Sequence, residues 1–144
     1  MPTVTSSTPE TGFFWPIRVY YEDTDAGGVV YYANYLRFYE RARTERLRAL
    51  GFEQDQIRNE HGVLFAVRSV QVEYIKPARF NDALHVTADM SDIRRASVIF
   101  KQAIHRADGE KLSEARVRVV CLSDGEFRPT PIPDHLLEQL KNVV

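Results

Sequence analysis

The chain has 144 residues, of which 44% are hydrophobic and 27% charged, and a net charge of -1. That length suits one soluble domain able to bury about two thirds of its unfolded surface, and the charge gives no global pull toward nucleic acid. A single cysteine, Cys121, excludes an intrachain disulfide framework, and apolar runs such as Val29 to Ala33 and Val63 to Val67 fall far short of the ~20 residues of a membrane helix.

Residues 1–14 read as a mobile tail: Thr3 to Thr11 is rich in Ser, Thr and Pro, and no Lys or Arg precedes Arg18. Residues 15–144 form the expected single domain. One free thiol and no secretory leader favour the cytoplasm, and only peripheral contact with a membrane fits the pattern. Ile17, Val19 and Tyr21 alternate with Arg18, Tyr20 and Glu22, which predicts a strand over Pro16 to Glu22. Asp23-Thr24-Asp25-Ala26-Gly27-Gly28 interrupts it, and two adjacent glycines mark a turn or a close backbone approach.

A long helix is predicted from an N-cap at Asn34 to a stop at Gly51. Its apolar half carries Tyr35, Leu36, Phe38, Tyr39, Ala42, Leu47, Ala49 and Leu50, with Arg43 and Arg46 intruding. Glu40 with Arg43 and Arg41 with Glu45 have the spacing of ion pairs. Glu53 to Glu60 reads as a short second helix ended by Gly62. From Val63 the period becomes two, and about four antiparallel strands come next, with Asp108-Gly109 and Asp124-Gly125 as hairpin turns and Arg94-Arg95 at a third reversal. Asp134 is a candidate cap for a terminal helix carrying Leu136, Leu137 and Leu140. The expected fold is α+β, with a curved sheet wrapped around the long helix. Such a sheet has edges, and pairing one across a two-fold axis predicts a dimer.

The segment Asp23 to Gly28 is the chemically suggestive one. It places two carboxylates just before a helix start, whose unpaired N–H groups and partial positive charge can hold an anion or a developing oxyanion. The plainer reading is an Asx turn at Asp25 shaped by two glycines. A calcium loop fits poorly, since the twelfth position is Asn34 rather than Glu and no helix precedes it. His61, His85, His105 and His135 lack metal-ligand spacing, Cys121 has the parity of a core residue, and Glu40 is a distant candidate for a helix-borne catalytic carboxylate.

The stretch from Tyr20 to Glu45, YYEDTDAGGVVYYANYLRFYERARTE, resembles the signature of hotdog-fold acyl-CoA thioesterases. The likeness is to the 4-hydroxybenzoyl-CoA thioesterase-like group and, within it, to the Tol-Pal-associated, YbgC-like branch, which Val72 to Arg79 (VEYIKPAR) also resembles. The resemblance implies a hotdog domain with a long central helix and a curved five- to six-stranded antiparallel sheet. It implies hydrolysis of acyl-CoA to free acid and CoA, with Asp25 as nucleophile or general base and the Tyr32 backbone N–H polarising the carbonyl. Gly27 and Gly28 would let the backbone approach the thioester, and Arg94 and Arg95 would hold the nucleotide phosphates. The branch commonly carries His where this chain has Tyr32; a backbone donor survives that change. No metal or other cofactor is implied. The implied partners are acyl-CoA, with acyl-carrier protein as the other thioester donor, and further copies of the chain in a homodimer or homotetramer. Two alternatives stay open: a hotdog dehydratase acting on carrier-linked acyl chains, and a non-enzymatic acyl-CoA-binding or scaffold protein of the Tol-Pal envelope system.

Overall fold

The computed structural model describes residues 12–143. The expected tail lies outside the described residues as far as residue 11; Phe13 packs against the core and Phe14 already opens a strand. The elements are β1 (Phe14–Arg18), α1 (Asn34–Ala49), α2 (Gln54–His61), β2 (Val63–Tyr74), β3 (Ala83–Thr87), β4 (Asp89–Ser91), β5 (Ser97–Arg106), β6 (Lys111–Ser123) and α3 (Asp134–Asn142). Six strands make one sheet in the order β1-β3-β5-β6-β2, all pairs antiparallel, with β4 pairing β5 beyond the end of β3.

Five strands come after α1, not four, because the run from Leu84 to Ser91 is broken. At Thr87 the ladder is diverted: the hydroxyl accepts the Ala103 N–H at 2.8 Å, and the carbonyl accepts the Gln102 side-chain amide at 3.0 Å. That amide also donates to the Tyr39 carbonyl of α1, and the Arg43 guanidinium donates to the Gln102 side-chain oxygen, both at 3.0 Å. Arg43 thus enters the apolar face because a polar partner waits there, and burial lowers its pKa from the ordinary arginine value.

The period-two pattern resolves into two faces. On β6, Ala115, Val117, Val119 and Cys121 are buried toward α1, while Glu114 and Arg116 point outward. Phe38, Tyr39 and Ala42 of α1 lie fully buried against the inner face, and the Tyr39 hydroxyl donates to Ser113 of β6 at 2.6 Å. Leu136 and Leu140 of α3 join the same core.

Several local expectations need correction. Ala33 is the N-cap residue of α1 and Asn34 is its first helical residue, because the Asn34 side chain is committed to a different partner. Likewise Pro133 precedes α3, and Asp134 is its first residue. Leu36 remains 40% exposed. The expected ion pairs of Glu40 and Arg41 give way to Arg48 bridging Glu45 at 2.6 Å and Glu53 at 2.9 Å. Glu40 instead accepts from Thr44, and Arg41 lies over the Phe38 ring. The stop at Gly51 holds: its φ is 94°, and the Gly51 and Phe52 N–H groups return to the Arg48 and Leu47 carbonyls.

One edge of the sheet is the twelve-residue β2; the other is made by the short β1 and, beyond the end of β3, by β4. A bulge between Val67 and Ser69 shifts the register so that Val63, Phe65 and Val67, then Val70, Val72 and Tyr74, all face the helix side. Val67, Val70 and Tyr74 are nonetheless exposed, since among the described residues no element lies beyond the β2 edge.

Candidate active site

β1 ends at Arg18 rather than running to Glu22, because Asp23 folds the next residues into a turn. One Asp23 side-chain oxygen accepts the Tyr20 N–H at 2.8 Å and the other accepts the Asn34 side-chain amide at 2.7 Å. Its carbonyl accepts the Tyr31 N–H at 3.0 Å. Asp23 is buried, and it pins a tight 3₁₀ turn over Tyr21–Asp23 to the first residue of α1.

Beyond it the chain makes a small hairpin. The Asp25 N–H donates to the Val29 carbonyl at 2.9 Å, and the Gly28 N–H donates to the Asp25 carbonyl at 3.0 Å. Gly28 sits at φ 80°, a left-handed conformation that favours glycine. Residues 78–80 add a third strand: Val29 bridges Arg79, and the Val30 N–H donates to the Ala78 carbonyl at 2.8 Å. The Ala78 N–H donates in turn to the Tyr35 hydroxyl at 3.0 Å. Burial raises the Tyr35 hydroxyl above the usual phenol value, so it stays neutral as acceptor. The hairpin is thereby tied at both margins to the first turn of α1.

Asp25 itself is exposed on the single chain, and its Oδ1 accepts the Gly27 N–H at 2.9 Å, the geometry of an Asx turn. A Cβ at Gly27 would stand 3.3 Å from that oxygen. At the head of α1 the Asn34 and Leu36 N–H groups already have acceptors in Tyr31 and Ala33. Among the described residues, the Tyr32 and Ala33 N–H groups have none. The Tyr32 carbonyl faces the other way, accepting the Tyr35 N–H and the Tyr74 hydroxyl at 3.0 Å from the end of β2. Tyr31, Tyr32, Tyr74 and Phe80 leave exposed aromatic surface around the loop.

Arg94 and Arg95, expected at the nucleotide end of CoA, stand apart from the loop within one chain. Arg94 and Arg95 are exposed in the β4–β5 reversal, where the Arg94 N–H donates to the Ser97 carbonyl. The Asp25 hairpin sits at the other end of β5, beside the Ala83 and Arg106 termini. Nine strand steps at ~3.3 Å separate those ends by about 30 Å, so one chain does not bring the arginine pair to the loop. Asp25, Gly27 and Gly28 share the hairpin, and Tyr32 lies at the end of the same segment, just before α1. The roles of Asp23 and Asn34 escape sequence reading, since their pairing eleven residues apart has no periodic signature.

The remaining candidates have structural surroundings. Cys121 is fully buried, and burial pushes its thiol up to about 11. His85 and His105 face each other across β3 and β5, and burial lowers both from the ordinary histidine value. Among the described residues no three His, Cys, Asp or Glu side chains cluster as a metal site, and no helix is long and apolar enough to cross a membrane. A cavity of about 850 Å³ opens on the outer face of the sheet between Gln71, Lys101 and Arg116, away from the Asp25 loop.

A family model described as the thioesterase-like superfamily matches residues 19–140. The acyl-CoA thioester hydrolase YbgC of Escherichia coli O6:H1 is 47% identical over 131 residues, covering 91% of this chain and 97% of that protein. The acyl-CoA thioesterase YbgC of Haemophilus influenzae is 44% identical over 124 residues, covering 86% of this chain and 90% of that one. The crystal structure of a probable thioesterase from Bartonella henselae superposes with a TM-score of 0.79 at 31% identity, covering 85% of this chain and 99% of that chain. The six-stranded sheet and long α1 are thus a hotdog fold. With the matched segment spanning both the Asp25 hairpin and α3, the chain belongs to the thioesterase-like superfamily.

Proposed function

We propose that the chain hydrolyses acyl-CoA thioesters to a carboxylic acid and CoA, using Asp25 and the Tyr32 backbone N–H. The observation that carries this site is the pair of N–H groups at the head of α1 that have no acceptor among the described residues, on the same short segment as Asp25. A carbonyl oxygen placed there accepts a hydrogen bond that strengthens as negative charge develops on it, and the helix end adds partial positive charge. Asp25 either attacks the thioester carbon, expelling the thiolate and leaving a mixed anhydride that water then hydrolyses to the acid and free Asp25, or takes a proton from a water that attacks the carbon directly as the C–S bond breaks. The leaving thiolate needs no histidine acid, because an ordinary thiol has a pKa near ~8.5.

Asp25 is exposed on one chain, so the site is completed by a second copy. We assign the two-fold contact to β2: it is a long edge strand with free ladder groups, and Val67, Val70 and Tyr74 are left uncovered beside it. Tyr74 of that strand already touches the Tyr32 carbonyl, which places the edge next to the proposed donor.

The test is thiol release from a panel of acyl-CoA esters by the wild type and by Asp25→Asn. Loss of at least ~10²-fold in kcat with binding retained supports the assignment; equal turnover by both proteins removes Asp25 from the mechanism. Binding without turnover by either protein supports the scaffold reading instead.

A further inference from the structure

Beside the Asp25 hairpin lies a second cavity, of about 480 Å³, lined by Lys76, Pro77, Arg79, Asp82, Arg106, Asp108 and Glu110. Its charges are almost wholly satisfied. Arg106 pairs with Asp82 at 3.2 Å and also with Glu110, and Lys76 pairs with Glu110 at 2.7 Å. Asp82 further accepts the Arg79 backbone N–H, and Asp108 accepts the Glu110 N–H, both at 2.9 Å. The exception is the Arg79 guanidinium, which is exposed and, among the described residues, has no hydrogen-bond or ion-pair partner. Every carboxylate in the cavity is engaged by another group, so this one cation is left to meet a ligand.

Its reach can be measured against the proposed site. Arg79 sits opposite Val29, and Val29 opposite Asp25, two strand spacings or about 10 Å between backbones. An extended arginine adds ~7 Å. The pantetheine arm, thirteen bonds from thioester sulfur to phosphorus, spans about 15 Å when extended. We propose that Arg79 binds the 4′-phosphate that joins pantetheine to its carrier, holding the thiol-side arm while the thioester lies at Asp25. This rests on the thioesterase reading and gives that site a carrier-recognition residue other than Arg94 and Arg95. CoA and a phosphopantetheinylated carrier protein share the group.

The test has two parts. Calorimetric titration of CoA, 4′-phosphopantetheine and pantetheine into the wild type, Arg79→Ala and Arg79→Lys is independent of turnover. Arg79→Ala should weaken the two phosphorylated ligands about tenfold and leave pantetheine within twofold, with Arg79→Lys retaining part of the affinity as a point charge. Equal weakening of all three ligands, or of none, overturns the assignment, and weakening of CoA alone moves the contact to the nucleotide. In turnover, Arg79→Ala should raise KM and spare kcat, and running acyl-CoA beside an acyl-carrier-protein thioester identifies the carrier whose KM rises. If the wild type cleaves no thioester while the titration behaves as expected, the hydrolytic reading fails and the phosphate site stands.

Discussion

Asp23→Asn tests the claim that a buried carboxylate, silent in the chemistry, builds the site. Both Asp23 oxygens face donors, the Tyr20 N–H at 2.8 Å and the Asn34 amide at 2.7 Å. An amide at position 23 keeps one acceptor and turns an NH₂ toward the other donor, so one bond becomes a donor–donor contact and the negative charge is lost. Hydrogen bonds to charged groups contribute about 1.5–3 kcal/mol, and leaving a buried donor unmet costs ~1–3 kcal/mol. The variant should therefore be about 2 kcal/mol less stable in urea unfolding, a fall of roughly 4–8 °C in Tm for a chain of this size. It should lose more activity than stability, because the turn it releases positions Asp25 and the head of α1. The double variant Asp23→Asn with Asn34→Asp restores the match: the amide accepts from Tyr20 and donates to the new carboxylate, which also suits a helix start. Recovery of at least ~1 kcal/mol beyond additivity is expected. Wild-type stability and turnover in Asp23→Asn, or strictly additive single effects, would refute the reasoning.

The same geometry sets three other outcomes. Gly27→Ala sets a methyl 3.3 Å from the Asp25 Oδ1, so the carboxylate must shift by a few tenths of an ångström; kcat should fall clearly while the urea midpoint moves little. Unfolding measured against pH should show acid lability from His85 and His105, whose folded pKa values burial lowers. The unfolded imidazoles take up protons first, so stability is full above the unfolded value near ~6.5 and declines as pH falls below it; replacing both histidines by Gln should flatten that part of the curve. Val70→Lys on the exposed edge of β2 should shift the chain toward monomer in sedimentation analysis and lower turnover with it, whereas a monomeric but fully active variant would remove the second copy from the site.

Much was legible from the sequence because it was written in short-range chemistry. Period-two alternation gave the strands their faces, since neighbouring side chains must point opposite ways. Gly51 and Gly62 ended their helices because a left-handed residue is cheapest as glycine. The long segment from Tyr20 to Glu45 carried the family likeness, which the matched family model bears out. Tertiary structure decided three other matters. It chose between two carboxylates two residues apart, burying Asp23 as a brace and leaving Asp25 exposed. It sent β2, the first strand after the helices, to the edge of the sheet, where its apolar face lies open. And it put Arg94 and Arg95 at the far end of β5 while bringing Arg79 to the hairpin. Each of those outcomes depends on which strand pairs with which across tens of residues, and such pairings leave no period in the chain to read.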